Sequence, residues 1–198
     1  MKISFNQGLI IAVIFSYLLM LLGGAALKPD YSHVSQYISE LNAINTPYAD
    51  VISWFGFGLF GLISAITIVA LAKHVPVSGM SKFGYWLLLA EPIAYLGSAF
   101  APCDLGCPTE GSISQLLHNL LAITTLLATT LALFLLTFTP SLKLYWRLFW
   151  LGLSITFFLL FTLMIDSDFD EWKGLIQRVQ EALIFSSLCI AAWRVTHK

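Results

Sequence analysis

The chain has 198 residues, 58% of them hydrophobic and 11% charged, with a formal net charge of −1 and a mean hydropathy of +0.83. Soluble domains carry about 45–50% apolar residues, so the composition excludes an ordinary water-soluble fold. No basic patch is interleaved with aromatics, which excludes a nucleic-acid-binding protein.

The apolar residues fall in six runs, roughly 6–27, 51–72, 84–101, 113–137, 145–165 and 174–193. Each is close to the ~20 residues a helix needs to cross ~30 Å of hydrocarbon. The runs are continuous rather than alternating, and only helices and closed barrels satisfy their backbone in lipid, so helices are predicted. The expected fold is all-α: a polytopic membrane protein with six transmembrane helices in one bundle and a single domain over 1–198.

The first run follows Met1-Lys2 and ends at Gly23-Gly24-Ala25-Ala26, which also fits a cleaved leader. It is long for a leader's apolar region and is read as a retained first helix. The loop 28–50 then carries Pro29, Asp30, Tyr31, Ser32, His33, Ser35, Gln36, Ser39 and Glu40. Within it Val34, Tyr37, Ile38 and Leu41 recur at helical spacing, which predicts a short amphipathic helix lying on the bundle as a lid. Tyr31, Ser35, Ser39 and Glu40 are candidate ligand-binding residues there.

The second run carries Gly58, Gly61 and Ala65, a small-residue stripe that lets a neighbouring helix approach. The third holds Glu91-Pro92 near its middle. Proline removes a backbone donor and kinks a helix. A midplane carboxylate beside a kink suits a proton or cation site; a protonated carboxyl bonded to a neighbouring Ser or Thr is the favoured reading.

Cys103 and Cys107 follow the third run. In an oxidising compartment they form a structural disulfide; a redox pair is the weaker reading at this spacing. On the fourth run Gln115, His118, Ala122, Thr125 and Thr129 lay a polar or small stripe along one side. The fifth run, rich in Phe and Leu, is expected to face lipid. The sixth opens with Gln177, Arg178 and Glu181 and carries Cys189, read as a reduced packing residue. Arg178 and Glu181 form either an intrahelical pair or part of an outward polar cavity with His118.

With six crossings, one side holds Lys2, Lys73, Lys82, Lys143, Arg147, Arg194 and Lys198 and no carboxylate. The other holds Lys28, Lys173 and Arg178 with every acidic residue except Glu91. Seven basic residues against three place both termini in the cytoplasm of a cell (inner) membrane protein.

Pro29 and Tyr31, Ile38-Ser39-Glu40-Leu41, Cys103 to Cys107-Pro108, His118, and Arg178 with Glu181 together resemble domain-of-unknown-function family 998. This group of six-helix prokaryotic membrane proteins is distantly similar to the Frag/DRAM/Sfk group. The resemblance implies a six-helix fold and a lean towards lipids, and carries no reaction.

Three functions compete. The first is binding of, or action on, a lipid or other amphiphile at the outer leaflet. An enzyme of this kind is expected to be metal-independent, with His118 as base, Arg178 as anion clamp and Glu181 as acid or orienting group. Gln115 and Gln177 would join the binding residues; His33 and Asp104 would be added only in a metal version. The second is a small-solute or proton-coupled transporter using Glu91. The third, a haem protein using His33 and His118, is the weakest. No cofactor is expected; the partners are membrane lipids and a small amphiphilic ligand.

Overall fold

The computed structural model describes residues 4–196, so Lys2 and Lys198 of the charge argument lie outside the described residues. Among the described residues the chain is helical, without strands. Five helices are long and apolar enough to cross a membrane: α1 (Phe5–Ala26), α2 (Ala49–Leu71), α5 (Ile113–Leu136), α6 (Leu144–Met164) and α7 (Lys173–Thr196). The protein is thus a multi-pass membrane protein.

The third apolar run is not one straight helix. It divides into α3 (Gly79–Leu87) and α4 (Ala90–Phe100). Leu88 and Leu89 between them keep right-handed dihedrals but bond three residues back, to Tyr85 O and Trp86 O. Pro92 explains the break, because it has no N–H to give the carbonyl four residues earlier.

Neighbours in sequence are neighbours in space. α1 packs on α2, α2 on α4, α3 and α4 on α5, α5 on α6, and α6 on α7, which returns to α1. The ring closes around a common interior. The small-residue stripe sets one of these contacts: a Cβ on Gly61 would stand 2.8 Å from Pro92 O and 2.9 Å from Leu96. Only a glycine admits α4 so closely. Gly58 faces Ala99 of the same helix.

Both α1 and α2 widen into π-helical turns, at Leu19–Gly23 and Ile52–Gly58, and these stretches meet each other. Such turns shift the helical register and recur at functional sites. Here they let Met20 bury itself against Gly56. The expectation that the fifth run faces lipid holds for part of α6 only. Leu148, Ile155 and Leu159 are exposed, whereas Trp150, Leu153 and Phe157 are buried in the core.

The two ends of the bundle differ. One gathers the loops 27–48, 101–112 and 165–172. The other carries both described chain ends and the short connections 72–78 and 137–143. At that second end Arg147 donates to the carbonyls of Leu142, Thr137 and Thr139 at 3.1, 3.0 and 3.3 Å. A cation is favourable at the C-terminus of α5, where unpaired carbonyls collect.

Candidate functional site

The long loop is held by side chains reaching across the fold. The predicted amphipathic helix is instead a single 3₁₀ turn, Ile38–Asn42. Its apolar residues Ile38 and Leu41 are buried, whereas the Val34 side chain is exposed and that residue meets the bundle through its carbonyl, which accepts from Leu175 N at 2.9 Å. Glu40 caps this turn: its Oε1 accepts from Tyr37 N at 2.9 Å and its Oε2 from Gln36 Nε2 at 3.0 Å. Tyr37 Oη donates to Met164 O, Asn42 Nδ2 to Ser98 O, and Ile38 N to Gln177 Oε1 at 2.7 Å.

Lys28 is buried and donates to Glu40 O at 2.7 Å and Thr46 Oγ1 at 2.5 Å. Burial pushes its ammonium down to about 8 against a weaker opposing pull from Glu40. Burial likewise pushes the Tyr31 phenol up to about 12, with the Arg178 charge opposing.

Arg178 does not pair with Glu181. Its guanidinium donates to His33 Nδ1 at 3.1 Å, Gln36 O at 2.9 Å, Gly174 O at 2.7 Å and the Tyr31 hydroxyl. Desolvation, then the Arg178 charge, holds His33 below the usual imidazole range. The planar fork of an arginine suits this many directed bonds. Gly174 lies under the same loop, where a Cβ would be 2.2 Å from Gln36 O.

Cys103 and Cys107 lie at disulfide distance, with sulfurs 1.96 Å apart. Gln115 Oε1 accepts from Asp104 N at 2.7 Å, and both Asp104 oxygens accept from Ser112 at 2.8 Å. These two Ser112 bonds hold the half-buried Asp104 carboxyl below the usual range. Gln115 therefore secures this ring. His118 Nδ1 is 3.0 Å from Ala101 O, which fixes the imidazole and leaves Nε2 uncommitted. The thiol sulfurs and His118 fall within 4.8 Å of one another, but in the disulfide both sulfurs are engaged. The metal set with His33 and Asp104 is not assembled: His33 faces Arg178, and Asp104 faces Ser112. His33 and His118 likewise belong to different contacts, which removes the paired-histidine haem arrangement.

Beneath the loop is a polar cavity of about 90 Å³. His118, Glu181, Ser39, Gln177 and Glu91 line it, joined by Tyr95, Ser98, Thr125 and Gln180. Tyr31, Ser35, Glu40, Gln115 and Arg178 are not in its wall; Ser35 N is bound to Ser32 Oγ. Glu91 and Glu181 are 5% and 8% exposed, so both acids are inside the fold. Glu91 Oε1 accepts from Thr129 Oγ1 at 2.7 Å, and one turn away Thr125 Oγ1 donates to Ala90 O at 3.2 Å. Glu181 Oε2 is buried with no hydrogen-bond partner in the protein.

A second cavity, about 240 Å³, extends from Glu91 towards the basic end. Its wall is almost wholly apolar, including Val13, Ile68, Leu88, Trp150, Phe185 and Leu188. Glu91 lines both spaces. Between them stands an aromatic cluster: Tyr95 lies 4.6 Å from Phe60 and 6.2 Å from Phe185, and Tyr17 packs on Phe60 and Phe185 at 5.3 and 5.1 Å between centroids.

The sequence reading missed Tyr95, Ser98 and Gln180. Tyr95 and Ser98 follow Glu91 at four and seven residues, a helical face that was available in the sequence. Tyr17, alone in the apolar first helix, gave no such signal.

The chain matches the family described as Protein of unknown function (DUF998) over residues 10–194, and it belongs to that family. No curated protein and no solved structure matches it.

Proposed function

We propose that this member of the DUF998 family is a binding or transport protein for a small amphiphile, which sits with its head in the polar cavity and its body in the apolar one. The observation that carries the reading is that one carboxylate, Glu91, lines both cavities. Polar and apolar compartments thereby meet at a single group, the pattern an amphiphile requires. The polar cavity has room for about three waters, at ~30 Å³ each, and so takes a compact head group.

In the proposed orientation α3 and α4 together make the third of six crossings. The positive-inside rule puts the acidic end outside and both termini in the cytoplasm. The polar cavity then opens on the outer half of the cell membrane. The metal-independent enzyme reading keeps His118 and Glu181 in one cavity but loses its anion clamp, because Arg178 is committed to the loop.

Native mass spectrometry tests the reading. Protein in a mild detergent is offered single-chain amphiphiles with cationic, neutral and anionic heads. At least one should bind one-to-one, and Ala192→Phe, which fills the apolar cavity, should abolish that complex. Undiminished binding by the filled variant, or no binding of any amphiphile to the wild type, would sink it.

A further inference from the structure

We infer that the head group bound between Glu91 and Glu181 is cationic: the ligand class is a lipophilic organic cation, taken up in exchange for a proton. The inference rests on the binding reading above and specifies its substrate.

The sign of the charge follows from the cavity wall. Two carboxyls share one small space, and among the described residues neither cavity is lined by Lys or Arg. Arg178, only three residues from Glu181, has four of its five guanidinium hydrogens committed to the loop and to Gly174 O. Two like charges buried together without a counter-charge cost several kcal/mol, and a proton or a cation must offset that cost. The unpartnered Glu181 Oε2 is an acceptor that the protein does not satisfy.

The aromatic cluster points the same way, and it reaches the acids through the Tyr95 hydroxyl, which bonds Glu181. Tyr95 forms part of the polar wall and Phe185 part of the apolar wall, with Phe60 touching both. Ring faces attract a desolvated cation, and quaternary ammonium groups are recognised in this way. An anionic head would meet two carboxyls, which repel it. A neutral head would gain from neither feature.

The titratable groups around the acid pair come from several elements. Tyr17 faces it from α1, Tyr95 from α4 and His118 from α5, while Tyr31 and Arg178 stand behind, beneath the loop. The α2 and α6 residues in the polar wall, Phe57 and Met164, do not titrate, and α3 contributes Tyr85 to the apolar wall only. Exchange is balanced: one monovalent cation enters, one proton leaves a carboxyl, and the charge of the site is unchanged. Binding therefore tightens as pH rises, by at most about tenfold per pH unit for one proton released.

The test uses benzyltrimethylammonium and benzylsulfonate, titrated into the full chain in phosphatidylcholine nanodiscs with calorimetry in two buffers of different ionisation heat. The expected result is binding of the ammonium with release of about one proton, no binding of the sulfonate, and at least a tenfold loss in Glu181→Gln and Glu91→Gln. Glu181→Asp, which keeps the charge, should retain most of the affinity. The proton count on the wild type stands even if a variant fails to fold. Equal binding of the sulfonate, binding without proton release, or unaltered affinity in both glutamine variants overturns the inference but leaves amphiphile binding intact. Failure of the ammonium alone, while neutral amphiphiles bind and Ala192→Phe blocks them, has the same meaning. Failure of every amphiphile removes both.

Discussion

The two halves of the bundle are held together by different physics. The acidic end is tied by hydrogen bonds between residues far apart in sequence. Arg178 reaches His33 and Gln36, Gln177 reaches Ile38, Tyr37 reaches Met164, and Ile44 N donates to Cys103 O at 2.8 Å. The basic end relies on local caps, such as Ser78 with Ser81 and Arg147 on α5, and on apolar packing around the larger cavity. Directional bonds fix one geometry; packing around a void tolerates several. The acidic half is a braced frame, and the basic half is where the fold has room to adjust. The break at Leu88–Leu89 and Pro92 lies at the boundary.

The largest way to break this contrast is Gly174→Ala. The new methyl meets the Gln36 backbone, which cannot yield without lifting the loop. A loss of about 3 kcal/mol is expected, read as a lowered melting temperature in detergent. Gly8→Ala in α1 is the counterpart: nothing lies within 4 Å of the added carbon, and the helix should gain about 0.5–1 kcal/mol. Equal effects at the two sites would remove the distinction.

Arg178→Ala comes next. It takes the common donor from Tyr31, His33 and Gln36, and should cost about 2 kcal/mol while exposing 28–48 to protease. Arg178→Lys should rescue less than half, since an ammonium cannot span these acceptors. Cleavage at the wild-type rate in both variants would show that the loop is held by burial alone.

The smallest effect sharpens the contrast through pH. Lys28 titrates near 8 when folded and near 10.5 when free, so the unfolded chain binds more protons between those values. Stability should therefore rise with pH across that window. Lys28→Met should flatten the slope; an unchanged slope would assign it to another group.

Much of this was readable from residues alone. Hydropathy marks the five long helices, and the Gly58–Gly61 stripe announces a close neighbour without saying that it is α4. The acid pair shows where reading stops. Glu181 lies eight residues into α7, and Glu91 lies nine before the end of α4, so at 1.5 Å per residue both sit about 12–14 Å below the acidic end. Their depths were available from the sequence. That they face one another across the interior depends on the ring order, which no local pattern encodes. Arg178 misleads for the opposite reason. Helical spacing to Glu181 suggests a pair, yet a loop more than a hundred residues earlier offers the guanidinium better partners.

The divided third segment also bears on how the protein is made. Its halves are 9 and 11 residues, neither long enough to span hydrocarbon, and a carboxyl sits at their junction. Such a segment partitions weakly into lipid when it leaves the translocon alone. The hydroxyls that receive it, Thr125 and Thr129, belong to α5, which is synthesised later. In the proposed six-crossing arrangement, this segment's stable entry into the bilayer waits for α5, and the two integrate as a pair.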